Sequence, residues 1–441
     1  MDEFQVPADL GRIPGKIYSG EGFTNFTADQ WRNFFLIYAT VVLWDHLSSI
    51  DRKILTYFVR VCTILVRRIV DVNEMEEAHM GLIEIIRLIE EKYGEEKISP
   101  NLHLSLHLCE CTYDYGPLYS FWCFSFERMN GFLGKIDSFF ICVFLQFLQY
   151  YSYCFLILIG NLPNSHRQIE TELMRRLMTD YQVDNIISSG IETKGLEIFN
   201  NRPTVGSLSD TNEIPTDEMY RFLMNSRNVI DSPITGSEEF PGQFLKPQTE
   251  NIRLEDPIYD LLVEYYMITY VNSIFRRPFT QDIPDSVIVL NKTNQYGRCQ
   301  IGAEIFGSAT SARHIKSSFV LAKFINRDGI SVDIYPGQIQ YFFEHSIYLS
   351  SQNLTHKLAF VRWYKPVHSS SIRHRFSIDN DVKTCNVELW ENNFFPISRD
   401  NIIPIHNILG RFVPVKYKTS DRSNAREYLA VIPINRKFHL Q

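Results

Sequence analysis

Cysteine is scarce in this chain: eight in 441 residues, at 62, 109, 111, 123, 142, 154, 299 and 385. That is too few and too irregular for a disulfide framework, and it points to a reducing compartment. The N-terminus, MDEFQVPADLGRIPGK, has no basic stretch followed by an apolar core and so does not read as a secretory signal. No Gly-rich phosphate loop occurs, because Gly11-Arg12-Ile13-Pro14-Gly15-Lys16 lacks both the Walker spacing and a following Ser or Thr. The Gly-x-Ser-x-Gly elbow of a hydrolase is missing too, and no internal repeat is visible. Kinase, hydrolase and dinucleotide-binding readings therefore have no support.

What is present is ordinary globular material. Hydrophobic residues make up 45% and charged residues 22%, and 32 Phe, 23 Tyr and 5 Trp supply abundant core side chains, which excludes global disorder and collagen-like structure. A length of 441 residues predicts two or three structural units. The net charge of −7 conceals an asymmetry: residues 1–285 hold 24 Lys/Arg against 40 Asp/Glu, whereas residues 286–441 hold 20 against 11. An acidic front precedes a basic back.

The front reads as helical. Thr27 with Gln30 forms a capping pattern ahead of Trp31, Phe34, Phe35, Tyr38 and Val42 at helical spacing. A second helix runs through Ile54, Phe58, Val61 and Leu65, and a third through Leu82, Ile85 and Ile89 to a stop at Gly94. Pro100 opens a helix carrying His103 and His107, Tyr115-Gly116-Pro117 reads as a turn, and Phe121 to Leu133 as a further helix. Ser138 to Ile159 contains no charged residue and meets the length criterion for a membrane span. Residues 187–255, rich in Ser, Thr, Asn, Pro and Gly, read as a polar linker or surface-wrapping segment. Asp256 to Asn272 regains helical spacing and bridges to the next part or rejoins the front. After Pro284 come short β-branched and aromatic runs, SVIVL, SSFVLAKFI, SVDIY, GQIQYFF, KLAFVRWY, NVELW and YLAVIPI. Turn signals at Arg327-Asp328-Gly329, Tyr335-Pro336-Gly337, Asp379-Asn380-Asp381 and Ser420-Asp421-Arg422 separate them. The expected fold is α+β in two domains: a mainly α-helical one over residues 1–186, the linker 187–255, a bridging helix 256–282, and a basic β barrel or sandwich over 283–441.

The block PNLHLSLHLCECTYDYGPLYSFWCFSFERMNGFLG, Pro100 to Gly134, resembles the domain of unknown function on the C-terminal side of CACTA (En/Spm-like) transposases of fungal type. It has their His-rich helix, Gly-Pro turn, Trp122 ahead of Phe124-Ser125-Phe126-Glu127-Arg128, and following Gly. VPADLGRIPGKI, FTADQWRNFFLIYATVVL and NLPNSHRQIETELMRRLM are similar to flanking stretches of the same proteins, so the resemblance covers roughly residues 5–134 and 161–180. YPGQIQYFFEHSI and HKLAFVRWYKP are similar to the trailing β-rich domain of those transposases and, more loosely, to bromo-adjacent-homology barrels. The resemblance implies a chain that starts downstream of the family's first two catalytic aspartates. A transposase of this type needs convergent carboxylates holding two metal ions about 3.5–4 Å apart, and Glu127, the one candidate remnant, cannot do that alone. The expectation is a non-catalytic protein without cofactor that binds DNA, chromatin or protein and is nuclear or cytoplasmic. The alternatives are a subunit that completes a transposase core chain in trans, and a single-pass membrane protein anchored through residues 138–159.

Deleting residues 135–160 joins Gly134 to Asn161 and restores the run that the resembling transposases carry without interruption. Gly134-Lys135 and Ile159-Gly160 can encode a splice donor and acceptor in matching phase, so these 26 codons read as a retained intron, against a buried or amphipathic helix or a membrane span. His103 and His107, at i and i+4 with Cys109, Cys111 and Cys123 nearby, invite a zinc site. The spacing fits no closed one, and packed core residues with a capping His are the alternative. Finally, Arg362, Lys365, Arg373, Arg375, Arg411, Lys416 and Lys418 are interleaved with Trp363, Tyr364, Phe376, Phe412 and Tyr417. Cations beside exposed aromatics suit phosphate contact plus base stacking. A solvated strand face or a surface for an acidic protein partner gives the same pattern. Arg373 and Arg375 would share a face if their segment is a strand.

Overall fold

The computed structural model describes residues 3–10, 26–67, 70–118, 234–240, 242–280, 283–301, 304–325, 332–349, 352–378, 385–419 and 426–434. The chain divides into two compact units, residues 1–121 with 214–441 and residues 122–213, and everything described belongs to the first. Glu127, Cys123, the apolar run 138–159 and the part of the expected linker before residue 234 lie outside the described residues.

The helical layer starts where the capping pattern places it. Thr27 Oγ1 accepts from the Gln30 amide at 3.3 Å, while Gln30 Oε1 accepts from the Thr27 amide at 2.9 Å. The helix runs over Ala28–Asn33, widens to π geometry over Phe34–Ala39 and ends at Thr40–Leu43 (together α1). Helices α2 (Ser49–Leu65) and α3 (Val72–Tyr93) form an antiparallel pair. Their close approach needs Gly81, where an added Cβ would sit 2.6 Å from Val61 Cγ2. Asp71 and Glu74 form the capping box of α3, and Gly94 ends it at φ 95°. The short helices α4 (Pro100–Leu104) and α5 (Leu108–Tyr115) follow, and Gly116 stops α5 at φ 82°.

The C-terminal region is strand-rich, and the α+β layout read from the sequence is the layout of the molecule. Its strands are β1 (Gly242–Arg253), β2 (Phe275–Arg276), β3 (Val287–Ile288), β4 (Lys292–Ile301), β5 (Glu304–Phe306), β6 (Phe319–Ile325), β7 (Val332–Leu349), β8 (Gln352–Pro366), β9 (Glu388–Phe394), β10 (Ile402–Pro404), β11 (Ile408–Lys418) and β12 (Glu427–Pro433). The order β7-β6-β11-β12-β9-β8 closes on itself through the β7–β8 pairing, giving a six-stranded antiparallel barrel. The long β7 and β8 project beyond the ring, and there β4 with β1 extends one side and β10 the other.

Three differences from the sequence reading have physical causes. Tyr335-Pro336-Gly337 is no turn: it lies inside β7, with Pro336 opposite Leu321 and Gly337 opposite both Val320 and Trp363. Turn-type residues occupy this strand because the backbones crowd there. A Cβ on Gly337 would lie 2.5 Å from Val361 Cγ1 and 2.8 Å from Trp363 Cε3. The end of the expected linker is strand β1, antiparallel to β4 from Gly242↔Ile301 to Arg253↔Lys292. Helix α6 (Asp256–Thr269) does not bridge two domains. It packs Tyr259, Leu262, Val263 and Tyr266 onto the projecting sheet against Phe343, Ile347, Leu358 and Phe360.

The helices and the barrel also share a core. Phe34, Ile37, Tyr38 and Trp44 of the first helical segment pack with Phe376, Leu389, Val413, Val415 and Ile432, and Trp44 meets Phe376 edge-on with centroids 5.5 Å apart. Polar ties seal the junction: Asn386 donates to the Leu36 carbonyl at 2.6 Å, and Thr40 donates to Asn386 Oδ1 at 3.1 Å. Among the described residues no helix is long and apolar enough to cross a membrane.

Candidate nucleic-acid interface

The basic residues singled out in the sequence are largely engaged within the chain. Arg411, with a side chain 5% exposed, grips Asp9 through both terminal nitrogens at 2.9 and 2.7 Å. Arg373 closes a short helix, α7 (Ser370–Arg373), so the expected strand face shared with Arg375 does not form. Its Nε and terminal nitrogen hold Glu388 Oε2 at 3.0 and 2.9 Å, and its guanidinium lies 4.5 Å over the Trp390 ring. Arg375 donates to Tyr417 Oη at 2.9 Å and to Asp45 Oδ1 at 3.0 Å, while Tyr417 donates to Asp45 Oδ2 at 2.9 Å. Burial works against the Asp45 charge, but the bonds from Arg375 and Tyr417 outweigh it and hold the carboxyl below its ordinary value. Burial pushes the Tyr417 phenol up to about 12. Lys416 stands 3.6 Å from Glu427. Arg362 lies 5.0 Å over Phe394 and donates to the Phe395 carbonyl at 3.4 Å. Lys365 is half-buried and Lys418 exposed.

The aromatic half of the expected arrangement is absent from the surface. Trp363, Tyr364, Phe376, Phe412 and Tyr417 are all buried, at 6% exposure or less. They hold the barrel together and present no face on which a base could stack. The interleaving seen in the sequence is strand alternation, with the aromatic member of each pair turned into a core.

A different set of cations faces solvent. Strand β4 carries Lys292 and Arg298, β1 carries Lys246 and Arg253, and the 3-10 turn Ala312–Ser317 carries Arg313 and Lys316. Among the described residues none of the six enters an ion pair with a carboxylate, and Glu250 is the only acidic residue in the three segments. All are exposed except Arg298, which is half-buried. Register brings them together: Arg253 lies opposite Lys292, and Leu245, next to Lys246, lies opposite Arg298. At about 3.3 Å per strand residue the row from Lys292 to Arg298 is about 20 Å long.

The turn at its end is firmly built. Gly307 donates to the Ser317 carbonyl at 3.0 Å and Ala309 to the Ile339 carbonyl at 2.8 Å. The Gly307 backbone lies against that of His314, where an added Cβ would collide with the His314 carbonyl oxygen. Arg298 donates through Nε to the Lys246 carbonyl at 2.6 Å and through a terminal nitrogen to His314 Nε2 at 3.2 Å. No Phe, Tyr or Trp side chain is interleaved with Arg313, His314 and Lys316 in the sequence, so the interleaving that marks the other basic segments does not mark this one. The signal that could have found them is ARHIKS itself, three basic side chains in four positions with no acid among them.

The histidine and cysteine constellation resolves into separate parts. The His103 and His107 rings meet edge-on with centroids 5.8 Å apart, and His107 Nδ1 bonds Glu110 at 3.0 Å. Cys109 turns inward, its thiol donating to the Met75 carbonyl at 3.5 Å. Among the described residues no three His, Cys, Asp or Glu side chains come together as a metal-holding group. Set against family models, curated proteins and solved structures, the chain finds no match in any of the three.

Proposed function

We propose that this protein is a non-catalytic binding module that holds nucleic acid by its phosphate backbone along the β1–β4 surface, in keeping with its resemblance to the region that accompanies CACTA transposase cores. The observation that carries the reading is the row of six cations on β1, β4 and the 312–317 turn that have no carboxylate partner among the described residues. Each strand of a duplex carries one charge per about 3.4 Å of helix axis, so a row of about 20 Å faces about six phosphates. With Trp363, Tyr364, Phe376, Phe412 and Tyr417 committed to the core, the contact is electrostatic and indifferent to base sequence. Unlike Arg373 and Arg411, these side chains give up no internal ion pair when a phosphate approaches.

The test is fluorescence anisotropy of a labelled duplex with full-length protein at low salt. Lys292→Glu with Lys316→Glu is expected to weaken binding at least tenfold without lowering the melting temperature, and two duplexes of unrelated sequence are expected to bind alike. Unchanged affinity in that variant would sink the proposal.

A further inference from the structure

We infer that Arg298 and His314 form a phosphate clamp that takes up one proton as it closes on its ligand, an inference that rests on reading the β1–β4 surface as phosphate-binding. A guanidinium can only donate, so the 3.2 Å contact from Arg298 to His314 Nε2 requires a lone pair on that nitrogen. In the ligand-free molecule the imidazole is therefore neutral and carries its proton on Nδ1. Its surroundings agree. Partial burial, Arg298 on β4 and Arg313 on its own turn hold His314 below its ordinary value, against an opposing pull from Asp9. The Asp9 carboxylate is already gripped by Arg411 from β11, and Lys316 adds a further cation two residues along the same segment.

The site thus has an excess of positive charge around a base that stays neutral only while no anion is present. Both donors are pre-positioned: the Lys246 carbonyl fixes the Arg298 guanidinium, and the Gly307–Ser317 bond fixes the turn that presents His314. A phosphate oxygen entering between them accepts from Arg298. It then finds the imidazole nitrogen facing it with a lone pair, an arrangement that repels an anion. Protonation of Nε2 turns that nitrogen into a second, charge-assisted donor. The proton comes from solvent, no covalent bond changes, and the complex holds one more proton than the free protein. Linkage then requires binding to tighten as pH falls, by up to tenfold per pH unit between the titration midpoints of the free and bound forms. The shared chemistry is a phosphate group, whether a backbone phosphodiester or a free phosphate.

The experiment uses the full chain at constant ionic strength. His-selective NMR, with His314 assigned by its loss in His314→Gln, follows the His314 titration midpoint with and without inorganic phosphate. In parallel, anisotropy measures affinity for a labelled duplex from pH 5.5 to 8; a phosphodiester keeps its charge over this range. Phosphate is expected to raise the His314 midpoint by a unit or more, and duplex affinity to rise about threefold or more between pH 7.5 and 6. His314→Gln flattens that dependence, while His314→Lys, with its charge fixed, binds at pH 8 as tightly as the natural protein does at pH 6. If phosphate moves the midpoint but no duplex binds, the clamp stands for free phosphate and the nucleic-acid reading fails. If duplex binds with the same pH profile in the natural protein and His314→Gln, and phosphate leaves the midpoint unmoved, the clamp is overturned while the reading survives.

Discussion

Mild acid is expected to remove a large share of this fold's stability, through two histidines buried under helix α6. His345 and His356 face each other across the β7–β8 pair and are 2% and 0% exposed. Tyr266 donates to His345 Nδ1 at 2.8 Å, and the opposite nitrogen of that ring donates to the Leu290 carbonyl at 2.7 Å. His356 Nε2 meets the Tyr270 hydroxyl at 2.7 Å, while its buried Nδ1 meets no hydrogen-bond partner among the described residues. Burial lowers both, each to about 4, and His345 further disfavours charge on His356. The unfolded values lie near 6.5. Because the native values are depressed, the stability these groups contribute is fully present above about pH 6.5 and is lost as pH falls toward 4, where the unfolded chain binds protons that the native one refuses. At pH 5 the loss is about 2 kcal/mol for each histidine, about 4 kcal/mol together, against a typical total of about 5–15 kcal/mol. His406, also lowered by burial, pulls the same way. Asp51, held at about 2 by Lys92, Tyr93 and Ser48 against its burial, keeps its contribution until lower pH, so the two windows separate. Urea unfolding followed by tryptophan fluorescence at pH 7.5, 6, 5 and 4.5 measures the loss. In a His345→Gln, His356→Gln variant, whose amides can donate and accept without titrating, most of the decline disappears. A natural protein whose midpoint stays level from pH 7 to 5, or a variant that declines just as steeply, refutes the reasoning.

Gly337→Ala is expected to cost about 1–3 kcal/mol, since the added methyl overlaps Val361 and Trp363; chemical denaturation checks this, and a neutral result would mean the β7–β8 packing differs. Trp44→Ala removes the indole that joins α1 to Phe376 and should lower stability by about 3–5 kcal/mol. If the helices and barrel do not share a core, its cost falls below about 1 kcal/mol. A double-mutant cycle on Asp45 and Arg375, a partly exposed pair, should give a coupling of about 1 kcal/mol, and zero coupling contradicts the contact.

Legibility in the sequence followed the range of the interaction. Local signals were readable: the Thr27–Gln30 box, the stops at Gly94 and Gly116, and the apolar stripes of α2 and α3 depend on residues within a few positions. Strands buried on the barrel wall, such as Leu429–Ile432, announced themselves by β-branched and aliphatic content. Strand β1 escaped because GQFLKPQTENIR is polar along an exposed edge, where no apolar alternation is demanded, and β4 because KTNQYGRCQI fills its buried positions with Thr293, Gly297 and Cys299 as well as Ile301. Ion pairs across long sequence distances are hidden for a related reason. Arg375 finds Asp45 from 330 positions away and Arg411 finds Asp9 from 402, so a local window shows a free cation where the fold has a neutral pair. The cations without a carboxylate partner among the described residues, Arg298, Arg313 and Lys316 above all, stand out only once the fold has paired the others with distant carboxylates.

The most direct test of the central claim is the salt dependence of duplex binding by the full-length protein between 50 and 300 mM salt. If the six cations of β1, β4 and the 312–317 turn contact phosphates, the logarithm of affinity falls linearly with the logarithm of salt at a slope approaching about −5. Lys292→Gln and Lys316→Gln each reduce that slope by about one. A slope near zero, or one that both substitutions leave untouched, contradicts the account.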